Sequence, residues 1–100
     1  MQANRSENHE RIIRDAITGR RVLFLHYHDA ERTIEPHILG YDRHGHLALS
    51  AWQVAGTGAG WWLFHVDEIT DLSETNSRFL RPAPGYNRRD PSFERVLQQV

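Results

Sequence analysis

One hundred residues with 39% hydrophobic and 10% aromatic content are enough for one core and exclude a second one, as well as disorder of the whole chain. Twelve basic residues, every one an arginine, face thirteen acidic ones for a net charge of -1, and the arginines are spread over both halves, which excludes the basic tail or stripe of a nonspecific nucleic-acid binder. The absence of cysteine excludes disulfides, thiolate metal sites and cysteine nucleophiles, and the polar stretch 1–14 holds no signal peptide or membrane span, so a cytoplasmic location is expected.

Residues 1–8 read as a disordered lead. Over 10–18, Ile12, Ile13, Ala16 and Ile17 recur at helical spacing, with Ser6 or Asn8 as the cap and Gly19 as the stop. From Arg20 the period changes to two, which predicts a first strand over 20–28 and, after a turn at 29–31, a second over 32–41. Pro36 lacks an N–H, so the second strand must be bulged, bent or at an edge there. A hairpin turn at 42–45 leads into a third strand over 46–54, with Leu47, Leu49 and Ala51 on one face.

The loop 55–60 is rich in glycine but lacks the lysine and the following helix of a phosphate-binding loop. Residues 61–68 predict a fourth strand and 69–73 a short fifth. The proline-rich stretch 81–91 predicts ordered surface coil, and Asp90-Pro91 opens a last short helix to Val100 with Phe93, Val96 and Leu97 on its apolar side. The expected fold is mainly β, in the α+β class: a small five-stranded barrel over 9–80 with an N-terminal helix, then a wrap and short C-terminal helix of the same domain over 81–100.

The order of several short motifs resembles the WYL domain, a bacterial and phage module. The matching pieces are Ala16-Ile17, Gly19-Arg20-Arg21-Val22, Tyr27, the run from Arg32 to Gly40, the run from Gly45 to Trp52, the block from Trp62 to Ile69, Phe79, and the tail from Arg81 to Asn87, so the likeness covers 12–100. Leu47-Ala48-Leu49 stands where the family has its naming triplet, and Trp62, His65 and Glu68 stand where arginines are common in it. The resemblance implies an Sm-like barrel acting as a stand-alone ligand-sensing module in transcriptional or defence regulation. Its ligand would be a nucleotide or a short single-stranded nucleic acid, with no cofactor and no membrane partner.

The candidate ligand-binding residues are Arg21, Arg32, His37, Trp52, Gln53, Trp62 and His65. Arg32 either binds an anion or pairs with Glu35 or Asp67 to lock the barrel. Trp61 and Trp62 are adjacent on a strand and point to opposite faces, so one belongs to the core and the other lies under the terminal helix or at a binding surface. Among the seven histidines, His26 with His28 and His44 with His46 have spacings that can chelate zinc or nickel, with His37, His65 or Asp67 as candidate third ligands. Scattered surface histidines are the favoured reading, and no metal is expected. No nucleophile elbow surrounds Ser50, Ser73 or Ser92, and Asp67 and Glu68 point apart, so an enzyme is not expected. Two other readings are a homo-oligomeric assembly module, which would bury the surplus aromatics, and a histidine-rich metal protein.

Overall fold

The computed structural model describes residues 5–100. Of the expected disordered lead, positions 1–4 lie outside the described residues, and 5–8 already belong to the first helix. Helix α1 (Arg5–Gly19) buries His9, Ile13, Ala16 and Ile17, a spacing that puts all four on one stripe. Ser6 and Asn8 lie inside it rather than at its cap. The left-handed residue that ends it is Arg20 (φ 52°), whose N–H donates to the Ile17 carbonyl at 3.2 Å, one position beyond the glycine expected to do so. Among the described residues, no helix is long and apolar enough to cross a membrane.

Strands β1 (Arg21–Tyr27) and β2 (Ala30–Asp42) form a hairpin, Tyr27 opposite Ala30. Its turn is the pair His28 and Asp29, both left-handed with φ 48° and 63°, as a two-residue turn compatible with strand twist requires. Strands β3 (Leu47–Ala55) and β4 (Gly60–His65) follow, then a single 3-10 turn (Val66–Glu68), β5 (Ile69–Arg78) and β6 (Phe93–Gln99). All pairings are antiparallel, in the order β4-β3-β2-β1-β5, with β6 joined to β2.

β2 pairs with β3 from Thr33 to Tyr41 along one edge. Along the other edge it pairs with β1 as far as Ile34 and with β6 from Ile38 onward. The register with β3 shifts between Pro36 and Ile38, which leaves His37 as the extra residue of a bulge where the proline predicted one. Helix α1 packs against this bent sheet, and Ile13, Ile17, Leu23, Leu25, Ile34, Leu39, Leu49, Phe64 and Ile69 form a core with almost no exposure.

Three expectations are corrected. β4 and β5 are the outer strands and do not pair with each other, so the six-stranded sheet is open rather than a closed five-stranded barrel. β5 runs on to Arg78; its sequence, polar after Leu72, hides it because only Ile69 is fully buried. The expected C-terminal helix is β6. After β1 leaves β2, the backbone groups of Ile38 to Asp42 need partners, and a strand satisfies them where an isolated helix of about eight residues would be marginal.

Gly40 makes this pairing possible. A Cβ there would run into the Arg95 carbonyl oxygen and lie 3.0 Å from both Phe93 Cδ1 and Val96 Cα. Gly40→Ala should therefore cost about 1–3 kcal/mol in urea denaturation and selectively speed amide exchange in β6. Unchanged stability would show that β6 does not press on this strand.

Candidate binding groove

The expected ligand residues are distributed over several places. Arg32 and Gln53 are 5% and 0% exposed and point into the protein. The Arg32 guanidinium lies over the rings of Trp62 (4.8 Å to the centroid), Tyr27 (5.4 Å) and Phe64 (5.6 Å). Its Nε and Nη2 donate to the Tyr27 carbonyl at 3.2 Å each, and Nη1 donates to Gln53 Oε1 (3.2 Å) and Thr57 Oγ1 (2.8 Å). Gln53 Nε2 and Trp62 Nε1 both donate to the Gly58 carbonyl, at 2.7 and 2.9 Å. This network fastens the glycine-rich loop over the open end of the core. Arg32 thus bonds neutral acceptors and pairs with neither Glu35 nor Asp67. Truncating it would strand the Tyr27 and Gln53 oxygens at about 1–3 kcal/mol each.

The fully buried His37 sits under the coil that follows β5. Its Nδ1 lies 2.8 Å from the Glu35 carbonyl and its Nε2 accepts the Ala83 N–H at 3.0 Å, which assigns the proton to Nδ1 and a neutral ring. Phe79 stacks on the ring at 5.2 Å between centroids, and Trp61 meets it edge-on at 4.8 Å. Arg21 lies away on β1, 3.7 Å from the Glu74 carboxylate. His65 sits at the far end of β4, against Glu68 at 3.2 Å. Of the seven residues, only Trp52 borders an open groove.

That groove follows from register. Glu35 pairs with Trp52, and Trp52 with Trp61, so the three side chains form a row across β2, β3 and β4 on the face away from the core. The adjacent tryptophans do divide between faces. Trp62 packs on the core, while Trp61 donates through Nε1 to the Pro84 carbonyl at 2.8 Å and holds the coil against the sheet. Trp52 meets Trp61 edge-on at 5.6 Å and keeps a half-exposed ring. Glu35, Trp52 and the segment from Phe79 to Pro84 enclose an open cavity of about 670 Å³.

Glu35 and Arg81 are the wall residues that sequence reasoning missed. The Glu35 carboxylate is half-buried with no hydrogen-bond or ion-pair partner among the described residues, and burial pushes its pKa up. Arg81, on the opposite wall, has no carboxylate partner among the described residues either. The arrangement offers a flat stacking surface, a desolvated acceptor and an exposed cation, which suits a planar ligand with N–H donors at one end and negative charge at the other.

Comparison with protein-family models, with curated proteins and with solved structures finds no match for this chain. The groove therefore rests on its geometry. Two buried histidines tie the whole structure to pH. Burial holds His37 below its ordinary value of 6.5, and Arg20 adds to this against the opposing hydrogen bond to Glu35. His9, also buried, is lowered by desolvation and then by Arg5, with the Val66 backbone and Asp71 acting against both. Below pH 6.5 the unfolded chain binds protons that these neutral rings do not, so stability should fall as pH drops from about 6.5 toward 5 and stay level above it. Thermal unfolding between pH 5 and 8 checks this, and His37→Gln should flatten the slope; an equally steep slope in that variant would refute its share.

Proposed function

We propose that the chain is a ligand-sensing regulatory module resembling the WYL type, with its bent sheet as an open relative of an Sm-like barrel and a nucleotide or the end of a single-stranded nucleic acid as its ligand. The observation that carries this reading is the half-buried Glu35 carboxylate, without a partner among the described residues, opposite the half-exposed Trp52 in the strand register. A nucleobase stacks on Trp52, a base edge rich in donors bonds Glu35, and a phosphate reaches Arg81. Among the bases, guanine fits best, because its N1–H and N2 amino group present two adjacent donors to one carboxylate. A homo-oligomeric module remains a second reading, favoured by the unpaired outer edge of β4 and the exposed Leu63 (41%) and Val54 (44%) on the same sheet.

Calorimetric titration of the full chain with GMP, AMP and UMP tests the first reading. GMP should bind most tightly, Trp52→Ala should weaken it by about 10-fold or more, and Glu35→Gln should reduce the preference for guanine while the melting temperature stays close to that of the parent. Absence of saturable binding to all three, or equal affinity in Trp52→Ala, would overturn it.

A further inference from the structure

The end of the sheet remote from Trp52 brings together residues that are far apart in sequence. Asp42 closes β2, His46 immediately precedes β3, and His65 ends β4, where it pairs with Ala48. The Asp42 Oδ2 atom lies 3.5 Å from His46 Nδ1 and 3.9 Å from His65 Nε2, and one ligand atom from each residue lies within 4.8 Å of the other two. We propose that Asp42, His46 and His65 form a binding site for a divalent first-row transition-metal ion, zinc foremost.

Three features carry this inference. The first is distance: with zinc–ligand bonds of about 2.0–2.1 Å, the edge of a ligand tetrahedron is about 3.3 Å, so the carboxylate-to-imidazole spacings need to contract by about 0.2 Å at His46 and about 0.6 Å at His65. The His46 side chain, 56% exposed, can turn to close its own gap, and the larger gap is closed by a turn of the His65 ring, which is 35% exposed. The second is preorganisation. Asp42 Oδ1 accepts the backbone N–H groups of His44 and His46 at 2.9 Å each, which fixes the carboxylate and leaves Oδ2 aimed at the two rings.

The third is an outer hydrogen bond of the kind that supports metal-bound histidine. His65 Nδ1 is 3.2 Å from Glu68 Oε2, and the other Glu68 oxygen is 2.5 Å from His28 Nε2. A carboxylate on Nδ1 sets the His65 tautomer that leaves the Nε2 lone pair free for a metal. Glu68 is therefore a positioning residue, engaged by two histidines, rather than the third ligand. Two imidazoles and one carboxylate suit zinc, nickel or cobalt better than the oxygen-seeking calcium or magnesium. Of the three ligands, His46 also lines a cavity of about 340 Å³ between α1 and the sheet, whose walls include Ser6, Glu10, Tyr41 and Leu47. A water or small ligand would complete a tetrahedral site.

The test is calorimetric titration of the untagged, chelator-treated full chain with zinc at neutral pH, backed by the visible spectrum of the cobalt form. One equivalent should bind. Affinity should fall by about 100-fold or more in His65→Ala and in Asp42→Asn, and by about 10-fold in Glu68→Gln. Asp67→Asn and His26→Ala should bind as the parent does. Asp42→Asn keeps an oxygen for both backbone N–H groups, and His46→Ala changes an exposed side chain, so a folded variant is at hand for each ligand face. Lack of saturable one-equivalent binding would overturn the site, as would zinc affinity unaffected by Asp42→Asn and His46→Ala, or loss of binding in Asp67→Asn.

Discussion

Among the described residues β2 is the only strand hydrogen-bonded to three others, and the need to satisfy both its edges organises the rest of the molecule. Its first half holds β1, and with it β5; its second half holds β6; β3 runs along the opposite edge throughout. A straight strand could not serve β1 and then β6 on one edge without a change of direction. The bulge at His37 supplies that change, and Pro36 beside it has no N–H to lose from the ladder. The same bulge turns His37 into the interior, where its two nitrogens tie β2 to itself and to Ala83. One local irregularity thus sets the position of β6, the course of the proline-rich coil and the wall of the groove.

Polar groups in the interior act as fasteners. An open sheet leaves the core exposed where a closed barrel would have sealed it, and at the end near the β1–β2 turn the seal is Arg32 under Trp62 with Gln53, Thr57 and the Gly58 carbonyl. A buried guanidinium is costly unless its donors are used, and here four hydrogen bonds and three aromatic faces replace much of its water. The residue that a sequence reading most readily assigns to an anionic ligand is therefore committed to holding the loop.

The parts of the fold legible in the sequence were those written in hydrophobic period. The stripe of α1, the alternation in β1 and β3 and the break at Pro36 follow from residues within a few positions of one another. β6 was not legible, because Phe93, Val96 and Leu97 fit a short helix as well as a half-buried strand, and what decides between them is the free edge of β2 more than fifty positions upstream. The groove was half legible for the same reason. Trp52 announces itself as a surplus aromatic, but Glu35 becomes its neighbour only through cross-strand register. Likewise, the spacing of His44 and His46 allows chelation but names no third ligand, and Asp42 joins His46 to His65 only once β3 and β4 are paired.

Withdrawing Arg32 from the surface changes what kind of ligand the groove can favour. With Arg32 enclosed and Arg21 beside Glu74, Arg81 is the one arginine among the described residues that line the cavity, on a chain whose net charge is -1. Affinity for long nucleic acids grows from many phosphate contacts and the counterions they release, and a single cation gives little of either. Stacking and base-edge bonding depend weakly on salt and are complete with one nucleotide. The proposed ligand is accordingly a mononucleotide or a strand terminus, recognised by its base more than by its backbone, and its binding would respond far more to the loss of the Trp52 ring than to added salt.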